Sequence, residues 1–132
     1  MKLIIYAIIL LFFLNVSNAQ AKQESVQQLK EKISKITDLQ TRCDSAMQWI
    51  KFYGNDKQEA YLLDVVYDAA LKLADEEHQA YALRQKARFV YNTQKNKVDS
   101  LMYYDKKISE IPGDSKMIRK YKTDTKSFVC YT

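Results

Sequence analysis

From residue 25 onward, apolar residues recur at steps of three and four, the period of a helix with one buried face. Val26, Leu29, Ile33 and Ile36 form the first such stripe, and Leu39, Cys43, Ala46, Ile50 and Tyr53 the second. Ala80, Leu83, Ala87, Val90 and Tyr91 line a later one, Leu101, Tyr104, Ile108 and Ile111 the next, and Ile118, Tyr121, Thr125 and Phe128 the last. The segment from about 57 to 74 differs. Its apolar residues wrap nearly all round, leaving a narrow polar stripe of Asp64, Asp68 and Lys72. A helix of that kind is covered on more than one side, so it is expected inside a stack and not at its edge.

Punctuation supports the same division. Ser25-x2-Gln28 and Thr37-x2-Gln40 have the form of capping boxes, in which a hydroxyl and an amide satisfy orphan N–H groups reciprocally. Whether residues 25–53 make two helices or one bent helix is left open by the pattern. Gly54-Asn55-Asp56 is expected to end a helix, with Gly54 in a left-handed C′ conformation. Asp75-Glu76-Glu77 places acids at the positive end of a helix dipole. Pro112 disfavours helix in the residue before it, which sets a stop at Ile111, and Asp114 or Ser115 caps the last helix. Only two glycines and one proline occur in 132 residues, too few for the turns of a sheet-rich fold.

The stretch Ala80–Asp114, two short amphipathic helices closed by Pro-Gly, resembles a tetratricopeptide repeat, a helix–turn–helix unit with a period of about 34 residues. Tyr91, Ser100, Tyr104 and Pro112 fall at the family's aromatic, small, aromatic and proline positions without a gap. Arg84, Ala87 and Arg88 stand where the family has Trp, Leu and Gly, and Lys95 where the turn often has Gly. One degenerate repeat covers about a quarter of the chain. The wording Leu71-Lys-Leu-Ala-Asp, Ala80-Tyr-Ala-Leu and Asp99-Ser-Leu-Met-Tyr-Tyr is similar to repeat regions of membrane-bound sensor regulators from Bacteroides-like bacteria. The resemblance implies an all-α fold of antiparallel helix hairpins stacked as a short right-handed array; caps and periods give about five helices after the N-terminal signal segment. It also implies a place outside the cytoplasmic membrane, ahead of a membrane helix and a signalling domain.

The first residues change the picture of where the protein works. Lys2, the uncharged run Leu3–Leu14 and the small residues Ser17 and Ala19 have the form of a secretory signal peptide. The run is shorter than the roughly 20 residues a spanning helix needs. The expected division is a signal peptide over 1–19, cleaved after Ala19 or, as second choice, Ala21, and one helical domain over 20–132. No cysteine follows the run to carry a lipid, and the mature chain has no transmembrane helix in this reading. The expected address is the periplasm or exterior of a Gram-negative bacterium. The chain ends Phe128-Val-Cys-Tyr-Thr132 without glycine, proline or charge, which reads as the front end of a longer array. The alternative is a short protein whose last helix docks on the core.

Chemistry is sparse. Export leaves Cys43 and Cys130, and an oxidising compartment permits a disulfide between them; against it, Cys43 lies on an apolar stripe as buried thiols do. His78 is the single histidine, so the several His or Cys ligands of a zinc site are missing and no metal is expected. No nucleophile stands in a pattern with a base and an orienting group, and two isolated glycines make no phosphate loop. Asp64 and Asp68 share a helix face but read as its solvated edge beside Lys72. No enzyme, cofactor or catalytic residue is expected.

Charge is unevenly spread on a chain of net +5: residues 56–78 hold seven acids and two bases, residues 84–126 twelve bases and five acids. Basic and tyrosine residues interleave in the second region. Inside a cell that mixture fits nucleic acid, but the export signal turns the expectation to an anionic glycan, an acidic peptide or an anionic membrane surface. Solvated helix faces account for the same charges without a partner. Tyr81, Arg84, Arg88 and Tyr91, one helix face, are expected to border a groove for an anionic or extended peptide. The function expected is a non-enzymatic protein-interaction or ligand-sensing module. The alternative is a self-contained small secreted or periplasmic helical protein that binds an anionic partner.

Overall fold

The structure, a computed structural model, describes residues 2, 4–8, 24–54 and 56–132. Residues 2 and 4–8 are helical, and both proposed cleavage sites, Ala19 and Ala21, lie outside the described residues. Six helices follow: α1 (Val26–Ser34), α2 (Leu39–Ile50), α3 (Lys57–Lys72), α4 (Glu76–Thr93), α5 (Val98–Ser109) and α6 (Lys116–Cys130). Among the described residues there is no strand, and no helix is long and apolar enough to cross a membrane.

The caps explain the count of six where about five were expected. Ser25 and Gln28 close a reciprocal box on α1. At the next start the sequence points to Thr37, but Asp38 takes the role. Its carboxylate accepts from the Thr41 N–H at 2.7 Å and the Thr41 hydroxyl at 2.6 Å. A carboxylate at the positive end of a helix offers both a hydrogen bond and a favourable charge, an advantage over a threonine hydroxyl. Arg42 donates twice to the Ile36 carbonyl and pins the corner. The region 25–53 is therefore two helices.

Asp75 caps α4 through the His78 N–H, and Ser115 caps α6 through the Ile118 N–H. The left-handed turn expected at Gly54 is absent, for no described glycine has positive φ. After α2 the chain tightens through short carbonyl contacts, and buried Tyr53 anchors it. The left-handed residue is instead Ala74, φ 53°, just past α3. There the Asp75 N–H donates to the Ala70 carbonyl and the Ala74 N–H to the Leu71 carbonyl, the paired bonds of a Schellman end. α5 stops at Ser109, slightly before Ile111, and Lys122 of α6 donates to the Ile111 carbonyl beyond its end. A Cβ at Gly113 would run into the ends of the Glu76 and Ile118 side chains, which would have to shift to admit it.

Each helix packs on the next from α2 to α6, α1 lies on α3, and α4 also meets α6 directly. α3 is covered on both sides, as its apolar wrap requires: Leu62, Leu63, Val66 and Ala70 are buried. Burying each of the larger of these side chains contributes about 2 kcal/mol. One core joins Leu29, Cys43, Ala46, Ile50 and α3. Two smaller ones, around Ala80, Leu83, Ile108 and Ile118 and around Ala87, Val90 and Leu101, knit α4 to α5 and α6. Buried alanines at 80, 82 and 87 let neighbours approach α4 from several sides.

Candidate functional site

The four residues expected to border a groove all lie where α4 faces other helices. Tyr81 meets Tyr121 of α6 edge to face, centroids 6.0 Å apart. Tyr91 stacks obliquely on Phe128 at 5.2 Å, and Lys97 Nζ lies over the Tyr91 ring, 4.2 Å from its centroid. Arg84 faces Asp124, Nε to Oδ2 3.4 Å, without hydrogen-bond geometry at that nitrogen. Its guanidinium also lies over the Phe128 ring. Arg88 reaches back to α3 and pairs with Glu59.

These contacts join into a polar ladder across three helices. Gln85 Oε1 accepts from Arg84 Nη1 at 2.8 Å and from Arg88 Nε at 3.0 Å. One amide oxygen thus bridges two cations whose far sides meet Asp124 on α6 and Glu59 on α3. Glu59 is 1 % exposed, so its charge is supported by Arg88; an unpaired carboxylate at that depth would cost several kcal/mol. Arg84 and Arg88 keep 24 % and 33 % side-chain exposure, enough for solvent or a ligand to reach their edges. Asp124 also holds Lys120 at 2.8 Å. On the opposite side, Lys86 pairs with Asp64 and lies over the Tyr67 ring in a cleft that Phe89 and Tyr104 help to line.

The remaining sequence-chosen residues are scaffolding by position. Tyr104 is half-buried between the two smaller cores, and burial raises its hydroxyl above the usual tyrosine range. Ser100 lies in the first turn of α5, and Pro112 is exposed in the α5–α6 connection. Cys43 and Cys130 are both free in this structure, in place of the bridge that export would permit. Cys43 is wholly buried, where desolvation, with Asp44 and Asp75 nearby, pushes its thiol up to about 11, while Cys130 is exposed at the end of α6. Cys43 sits in the first core, whereas Cys130 ends α6, which packs on α4 and α5.

Three participants escape sequence reasoning. Glu59 carries a signal: it precedes Leu62 and Leu63 by three and four residues, so an acid stands on the buried face of α3. Gln85 and Asp124 carry none, because their roles depend on which helices touch. The same holds for a small cleft that Met47, Glu77, His78, Tyr81, Met117 and Tyr121 line from α2, α4 and α6. No protein-family model, no curated protein and no solved structure matches this chain.

Proposed function

We propose that this chain is a non-enzymatic, exported interaction module, built as a short tetratricopeptide-like array and belonging to the extracytoplasmic sensing region of a membrane-bound bacterial regulator. The observation that carries the reading is the packing order. α4 touches α3 before it, its hairpin partner α5 and the following helix α6, the neighbour scheme of stacked hairpins in which each unit buries the face of the next. The partner in this reading is a protein or peptide with acidic groups. The exposed edges of Arg84 and Arg88 on the shared α4 face would meet it, while Glu59, Gln85 and Asp124 keep the two guanidinium groups oriented.

The experiment is a binding titration of the full chain with poly-glutamate peptide at several salt concentrations, comparing Arg84→Gln with the parent. Arg84 is the better probe because Arg88→Ala would also remove a charged partner from the buried Glu59. Weaker binding with a shallower salt dependence supports the reading; unchanged binding removes Arg84 from it. The sensor assignment is tested separately, by whether the surrounding DNA joins this segment in frame to a membrane helix and a signalling domain.

A second reading, a self-contained small secreted or periplasmic protein for an anionic partner, draws on a different surface. The solvent side of α6 carries Lys116, Arg119, Lys120 and Lys126. If poly-glutamate binding is lost on replacing Lys116 and Lys126 by Gln but not on replacing Arg84, this second face is the one in use.

A further inference from the structure

We propose that the cleft between α2, α4 and α6 binds a soft monovalent metal ion, Cu(I) or its analogue Ag(I), through His78 Nε2 and the thioethers of Met47 and Met117. These three side chains come from three helices and share one small cleft. The site uses none of the side chains of the arginine ladder, though Tyr81 shares their helix face, and it extends beyond the reading of the chain as an interaction module.

His78 is already set up as a ligand. Asp75 accepts its backbone N–H at 3.1 Å, and the second carboxylate oxygen lies 2.6 Å from ring Nδ1. A carboxylate is an acceptor, so the neutral ring carries its proton on Nδ1 and leaves the Nε2 lone pair free. A carboxylate behind a histidine is the arrangement that fixes ring orientation and basicity in metal sites. The same Asp75 caps α4, so the ring is held from a rigid helix end.

The two methionines decide the class of ion. Thioether sulfur is a soft neutral donor that favours Cu(I) and Ag(I) over Zn(II), Mg(II) or Ca(II). No group of three His, Cys, Asp or Glu side chains among the described residues is gathered for a harder ion. Met117 is 43 % exposed, so core packing does not account for it. An unbranched side chain with three rotatable bonds lets each sulfur swing toward a bound ion. Tyr81 and Tyr121, locked edge to face, wall the cleft with aromatic surface compatible with a cation. Because the ligands come from α2, α4 and α6, binding would tie these helices together and raise thermal stability.

The test uses the full-length chain carrying Cys130→Ser, since the exposed thiol would itself capture a soft ion. Titration with Ag(I), and with Cu(I) under anaerobic conditions, should show one ion per chain and a higher Tm. His78→Gln and the pair Met47→Leu/Met117→Leu should weaken binding by on the order of 100-fold while preserving helix content. Methyl NMR gives a readout that does not depend on those variants folding. On adding Ag(I), the methyl signals of Met47 and Met117 should move and that of Met102, exposed on α5, should not. Absence of binding by the Cys130→Ser chain, an undisturbed Met47 or Met117 signal on saturation, or displacement of Ag(I) by equimolar Zn(II) would overturn the proposal.

Discussion

Glu59 and Arg88 form the ion pair with the most at stake, because one partner is wholly buried and the other reaches it from a neighbouring helix. Replacing Arg88 by Ala removes a charged partner from a buried carboxylate. Urea unfolding should show a loss of about 2 kcal/mol, tempered by the part of Arg88 that solvent already screens. Replacing both, Glu59→Gln with Arg88→Gln, should restore part of that loss, since no buried charge then remains. Ala74 offers the opposite sign. It holds a left-handed conformation that costs an L-residue about 1 kcal/mol. Ala74→Gly should therefore raise stability by about 0.5 kcal/mol, measured as a higher urea midpoint at unchanged m-value, once the greater freedom of glycine in the unfolded chain is counted.

Helix starts are where pH acts. At Asp38 the hydrogen bonds from the Thr41 side chain and backbone lower the carboxyl below its ordinary value. At Asp75 burial raises it, but the bonds from His78 and Glu77 outweigh burial and leave it lowered. A carboxyl depressed in the folded state contributes stability that is present above its unfolded pKa, about 3.9, and is lost as pH falls through the folded value. The expected result is a Tm that falls steeply below about pH 4. In Asp38→Asn and Asp75→Asn variants that acid-side slope should be shallower. The same two elements show how far sequence reasoning reaches. The acid cluster before α4 is legible because charge at a helix start has a local cause. Choosing Asp38 over Thr37 is not, because adjacent residues with capping side chains give nearly the same pattern, and the corner made by Arg42 and Ile36 depends on how the chain turns.

At the scale of the whole molecule, the two thiols report on the packing order. Cys43 lies in the core shared by α1, α2 and α3, and Cys130 stands in solvent at the far end of the chain. Native protein should react with one equivalent of a thiol reagent, at Cys130. The second equivalent should appear only as the chain unfolds, with a midpoint matching circular dichroism. Cys130→Ser should abolish the fast phase and leave the slow one. Two fast equivalents in native protein would mean that the core shared by α1, α2 and α3 opens independently of the rest.

Local pattern was enough to establish the helical class, the approximate bounds of every helix from 57 onward, the stripes that face inward and the need to cover α3 on two sides. Those features follow from periodicity and from caps, whose physics is confined to a few neighbouring residues. Folding in three dimensions was needed to bring α4 against α6, to seat Glu59 beneath Arg88 and the bridging Gln85, and to place Met47, His78 and Met117 in one cleft. Arg88 and Glu59 stand 29 positions apart, and the cleft residues are farther separated still. A one-dimensional pattern fixes which face of a helix a residue lies on without fixing which helix covers it.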